Sequence, residues 1–203
     1  GRVHAEHAAY FTDVVGAMRR SDMKPGHDRA FDELEYDYAN VRAAWGWAAT
    51  QGRTDLIFRM APMLTRFLYD RRPVNESAAL MDLALAHTES ESEAEAALLW
   101  AKGYLLARTD AHLAQLLCER SAAMALALGS TAQFAKSTYT LGLAHVYQQA
   151  HMRARQAISR ALEILKHDDP DGLLGGCYAN LGVLTENPEE HERLLSLGAD
   201  ACR

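Results

Sequence analysis

The sequence predicts an all-α chain of stacked antiparallel helix pairs. Three observations carry that prediction. Ala and Leu dominate the composition, both strong helix formers, while Val and Ile, which strands favour, are scarce. Apolar residues recur at helical spacing in ten segments separated by short breakers. A Leu-Gly pair recurs at a separation of 40 residues, at Leu141-Gly142 and Leu181-Gly182, which marks an internal repeat.

The segments follow in order. The first, 2–20, carries Val3, Ala8, Phe11, Val14, Val15 and Met18 at helical spacing and breaks at Lys24-Pro25-Gly26. The second, 28–50, opens with Asp28, Asp32 and Glu33, as the helix dipole favours, and carries Phe31, Leu34, Tyr38, Val41, Ala44, Trp45 and Ala48 on one face. Gly52 is a natural left-handed cap for it. The third, 54–71, starts at Thr54-Asp55, and Pro62 is expected near a helix start, where its missing N–H costs least. Pro73 separates it from a fourth, 75–88, capped by Asn75. Thr88 to Ser92 reads as a loop and N-cap. Helices over 93–108, 111–128, 131–149, 151–167, 172–185 and 188–200 complete the chain, punctuated by Gly129-Ser130, Asp168 to Gly172 and Pro188.

The repeat has a physical logic. Two helices of a pair approach closely only where side chains are small. On the second helices a small–large–small pattern recurs: Ser77, Met81, Ala84; then Ala114, Cys118, Ser121; then Ala154, Ile158, Ala161. The small residues receive the next unit's first helix and the larger one fills the gap. No unit buries its faces alone, so units must stack. The Gly of Ala101-Lys102-Gly103-Tyr104 lies one residue out of register with Gly142.

Leu141-Gly142 with Ala154, Ile158 and Ala161 resembles the tetratricopeptide repeat, and a spacing of 40 resembles its long-helix variant. The stretch His4 to Phe11, followed by Glu35 to Trp47 in the pattern Glu-x-x-x-x-Asn-hydrophobic-Arg-Ala-Ala-x-x-Trp, resembles a segment of bacterial STAND-class regulators of the LuxR-type and maltose-activator-like kinds. In those proteins it follows the nucleotide-binding and winged-helix domains. The resemblance implies a right-handed superhelix, an α-solenoid, acting as sensor and protein-interaction arm. It implies a helical pair over 1–52 leading into one continuous solenoid over 53–203, with units 53–90, 91–130, 131–170 and 171–203.

Charge and motifs bound the function. At 203 residues and a formal charge of −6, the chain has little of the clustered positive charge that drives direct nucleic-acid binding. No apolar run reaches the length of a membrane span, and no signal peptide is visible. Cys118, Cys177 and Cys202 are odd in number and widely spaced, which fits free thiols in a reducing, cytoplasmic setting. There is no phosphate-binding loop, so no nucleotide cofactor is expected, nor any other cofactor. The start at Gly-Arg and the stop at Ala-Cys-Arg suggest a fragment; a processed or tagged end is the alternative.

Candidate chemistry is sparse. His4 and His7 could share a metal, but no further ligands stand at a recognisable spacing, and an exposed polar face is the preferred reading. His145 is expected in the repeat core, Cys118 and Cys177 as buried small hydrophobes, Trp45 and Trp100 as core, and Trp47 on another face. Asp168, Asp169 and Asp171 lack the pattern of a calcium loop and read as a turn.

The binding expectation is geometric. First helices of stacked pairs line a concave face. That projection places Arg59, Arg66, Tyr69 and Asp70 there, then Leu99 and Leu106, then Lys136, Tyr139, Leu143 and Tyr147, then Val183 and Glu186. Such a lining suits an acidic peptide or a small polar ligand such as a sugar; a merely solvated or domain-covered face is the alternative. The expected function is a binding sensor or scaffold, not an enzyme, whose partners are a protein, a peptide, a small polar ligand or its own ATPase domain. Neither a membrane nor direct nucleic-acid contact is expected. A free-standing adaptor is the second reading, and the last helix, with Leu194, Leu195 and Leu197, is a candidate homodimer contact.

Overall fold

The computed structural model describes residues 1–18, 29–169 and 172–201, so the predicted break at Lys24-Pro25-Gly26, the helix start at Asp28, and Pro170, Asp171 and Cys202 lie outside it. The described residues form ten α-helices and no strand: α1 Arg2–Ala17, α2 Arg29–Thr50, α3 Thr54–Arg71, α4 Val74–Leu85, α5 Glu93–Leu106, α6 Ala111–Ala127, α7 Thr131–Tyr147, α8 His151–Leu165, α9 Leu174–Val183 and α10 Pro188–Ala201. Backbone contacts group them into two compact units, 1–105 and 106–203.

In the first unit α1 packs on α2 and α3, and α4 packs on both α2 and α3. Trp45, Phe31, Phe67, Met60, Leu64 and Met81 are enclosed at its centre. The Phe31 ring meets Phe67 edge-on at 5.6 Å. Trp45 is fully buried, and its indole Nε1 donates to the Leu80 carbonyl at 2.9 Å, so its one polar atom is satisfied inside the core. Glu35, Val41 and Arg42 of the recognised stretch all have structural roles. Glu35 accepts from Arg72 at 2.7 Å, Arg42 pairs with Glu76 at 3.6 Å, and Val41 is buried. Arg72 also lies 4.0 Å above the Tyr38 ring, so the end of α3 is fastened to α2 by a charge pair and a cation–π contact together.

In the second unit each helix from α6 to α9 packs on its successor. The small–large–small stripes lie at the centre of this packing. Ala114, Cys118 and Ser121 are fully buried, as are Ala154, Ile158 and Ala161. In the first unit Ser77, Met81 and Ala84 are buried in the same way, and Val41, Trp45 and Ala48 form a matching stripe on α2. A Cβ on Gly142 would fall inside the contact radius of Ile158 Cγ1, so only glycine admits this approach of α7 and α8. Between α6 and α7 the Ser121 and Ser137 hydroxyls meet at 2.7 Å, both fully buried.

Helix ends explain the punctuation. Gly52 and Gly129 take left-handed conformations at φ 63 and 72. Gln149 takes the same conformation at φ 60, although it carries a side chain. Behind each, the chain closes a Schellman motif: Arg53 N–H to Ala48 O, Ser130 N–H to Ala125 O, and Ala150 N–H to His145 O, at 2.9, 2.8 and 2.9 Å. Gln149 therefore ends α7 at Tyr147, two residues before the expected limit. Ser92 caps α5 through the Glu95 N–H, while the Glu95 carboxylate accepts from Glu91 N–H at 2.7 Å. Asp110 caps α6, Asn187 caps α10, and Asp169 accepts from Leu173 and Leu174 N–H at 2.6 and 2.9 Å.

Two expectations are corrected. Pro62 lies inside α3, not near a helix start. It deprives the Phe58 carbonyl of its usual donor, and Phe58 is on the exposed side of the helix at 44%. Asn75 does not cap α4. The helix already includes Val74, and Pro73, with its φ preset, occupies the cap position without a side-chain bond.

Candidate functional site

The first-helix face of the first unit brings together part of the expected lining. Arg59 pairs with Asp13 of α1 at 2.8 Å and so belongs to the α1–α3 contact. Two to three turns further along α3, Arg66 and Tyr69 are half-buried and Asp70 is exposed. The Tyr69 ring packs on Tyr104 of α5 at 4.8 Å, and Trp100 follows at 6.1 Å from Tyr104. Arg66 Nε is enclosed without a hydrogen-bond partner. The half-buried Tyr69 and Tyr104 rings form an aromatic shelf, with Arg66 one turn before Tyr69 on α3, and such rings can take a planar or hydroxylated group by stacking. Tyr104 escaped the projection because the expectation ran along single helices, whereas the shelf is built by two.

Leu99 and Tyr139 are corrections to the lining. Leu99 is 4% exposed and Tyr139 6%, so neither presents a surface to a ligand. Tyr139 is enclosed because Gly176 has no side chain: a Cβ there would stand 2.6 Å from the Tyr139 hydroxyl. The pair Gly175-Gly176 was the available signal for a ring packed against α9.

In the second unit Lys136, Leu143 and Leu106 are half-buried, while Tyr147, Val183 and Glu186 are exposed. A cleft of about 420 Å³ opens elsewhere in this unit, between the α6–α7 turn and α8. Leu126, Phe134 and Ile164 line it, and the Arg160 guanidinium sits 4.7 Å over the Phe134 ring at its edge.

The remaining candidates take structural places. His145 is buried and its Nδ1 lies 3.3 Å from Gln148 Oε1. His7 packs on Phe11 at 4.8 Å, and His4 is exposed. Trp100 is buried at 5% and Trp47 packs half-buried against the first core. Cys118 and Cys177 are buried and in no disulfide; burial, with Glu119 adding to it, pushes the Cys118 thiol well above its ordinary value and keeps it protonated. Leu194 is buried, Leu197 half-buried and Leu195 exposed at 40%. No described helix is long and apolar enough to cross a membrane. No protein-family model matches the chain, and no curated protein matches it.

Proposed function

We propose that the chain is a binding and scaffolding module of the tetratricopeptide-like kind, the sensor arm of a bacterial STAND-class regulator, and that it carries out no reaction of its own. What supports this reading is one recurrence: buried small–large–small stripes at 77/81/84, 114/118/121 and 154/158/161, each on the second helix of a pair. That packing commits the second helices to stacking and leaves first helices to display side chains. On α3 they display Arg66 and Tyr69, with Tyr104 of α5 beside them.

The test is a thermal-shift screen against sugars, nucleotides and acidic peptides, repeated on Tyr69→Ala and Arg66→Ala. A rise in melting temperature specific to one ligand class and lost in both variants supports a sensor site on this shelf. A shift with ATP alone, untouched by either substitution, would contradict it. Attachment to an ATPase is tested separately, by looking for a phosphate-binding loop in the reading frame upstream of Gly1.

A further inference from the structure

A second surface lies on second helices of the second unit. α8 is a basic helix in an acidic chain: over 151–167 it carries Arg153, Arg155, Arg160 and Lys166 against the single carboxylate Glu163, whereas the whole chain stands at −6. Arg155, Ser159, Leu162 and Lys166 fall on one stripe of α8. They face Glu190, Arg193, Leu194 and Leu197 of α10 across a groove of about 260 Å³, with Tyr178 and Leu181 of α9 at its floor. Leu162, Leu181 and Leu194 are buried beneath it and close it from below.

The rim is predominantly cationic. Lys166, Arg193 and Tyr178 all line it. The Arg155 guanidinium donates to the Leu184 carbonyl, and Glu190 is bonded to Arg193. Arg155 and Lys166 are eleven residues apart, about 16 Å along the helix, which is the span of roughly five extended residues. Lys166 pairs with Glu163 at 2.7 Å in solvent, and such a pair exchanges readily for an incoming carboxylate, whereas Glu190 holds Arg193 by two bonds of 2.7 Å.

We infer that this α8–α10 groove binds an acidic linear peptide, with its carboxylates on the Lys166, Arg193 and Arg155 rim. The inference rests on the reading of the chain as a binding module, and assigns a second site distinct from the α3–α5 shelf. Charge complementarity selects the occupant. A neutral peptide would offer the rim cations nothing, while a basic one would meet like charge.

The experiment is fluorescence anisotropy of a fluorescein-labelled octapeptide of alternating Glu and Leu, titrated with the intact chain. The controls are its Lys–Leu counterpart and an oligo-dT strand. A saturable rise is expected for the acidic peptide alone, weakening as salt goes from about 0.05 to 0.5 M. Lys166→Glu with Arg193→Glu is expected to weaken binding about tenfold or more, with helical circular dichroism unchanged. Arg66→Ala is expected to leave binding intact. No saturable rise, full affinity in the charge-reversed protein, or tighter binding of oligo-dT would each overturn the inference. Loss of binding in Arg66→Ala alone would move the peptide to the shelf, overturning this groove while leaving the module reading in place. That reading fails separately, on the ligand screen.

Discussion

The Tyr139 hydroxyl of α7 accepts a hydrogen bond from the Asn180 amide of α9 at 3.1 Å, and the same amide donates to the Gly176 carbonyl at 2.8 Å. One side chain thus reaches from one repeat pair into the next, and it does so through a gap left by glycine. Tyr139→Phe should cost about 0.5–1.5 kcal/mol by removing the bond. Tyr139→Ala should cost about 3–5 kcal/mol by opening a cavity. Urea denaturation measures both. A cost near zero for Tyr139→Ala would show that the ring is not a packing element.

Two glycine substitutions should act in opposite directions. A Cβ at Gly142 meets Ile158 and also lies 3.3 Å from the Ala154 carbonyl oxygen. Overpacking of this kind costs about 1–3 kcal/mol, more than the helix preference of about 1 kcal/mol that alanine returns. A Cβ at Gly46 meets nothing nearer than Leu83 Cδ2 at 3.9 Å. Gly142→Ala should therefore lower the melting temperature and Gly46→Ala raise it. The same sign for both would refute the close-packing account.

Gln149→Gly should stabilise the chain by about 0.5–1 kcal/mol. The position already has the left-handed backbone that glycine occupies at 52 and 129, and a side chain there is disfavoured. Thermal denaturation would register the gain, and a loss would indicate that the Gln149 side chain contributes a contact worth more than the strain.

Tyr38 links stability to alkaline pH. Burial, followed by the hydrogen bond its hydroxyl donates to Glu76 at 2.8 Å, pushes its phenol up to about 12. Because the folded value exceeds the unfolded one, the unfolded chain loses this proton first. The contribution is therefore complete below about pH 10 and fades as pH rises toward 12. The stability difference between wild type and Tyr38→Phe should shrink across that window. A difference that stays constant or grows would reverse the assignment.

What could be read in advance was whatever helix packing writes locally. Small residues seven apart with a larger one between them must face a neighbouring helix, so Ala154, Ile158 and Ala161 were legible, as was the glycine opposite them. The period was legible only downstream, because Ser77 and Ala114 are 37 residues apart where Ala114 and Ala154 are 40. The binding surface was less so. Projecting residues along single first helices found Arg66 and Tyr69, but missed Tyr104, which lies on another helix. It also placed Tyr139 and Leu99 in the open, since the depth of a side chain depends on what its neighbours lack. Pro62 was misplaced for a related reason: a helix fixed by packing on both ends tolerates one missing bond on its exposed side.

A hairpin seamed largely with alanine and other small residues has a hidden ambiguity, since sliding one helix by a turn exchanges one small contact for another at little cost. The facing hydroxyls of Ser121 and Ser137 remove that freedom. Displaced by a turn, the two hydroxyls would lose each other and Ser121 would lose the Gln133 amide, while Ser137 keeps the Gln133 carbonyl, a penalty of about 1–3 kcal/mol in all. The pair therefore acts less as glue than as a detent. It adds little to the depth of the native well while raising the floor of the neighbouring ones, so α6 and α7 meet in a single alignment and every helix stacked after them inherits it.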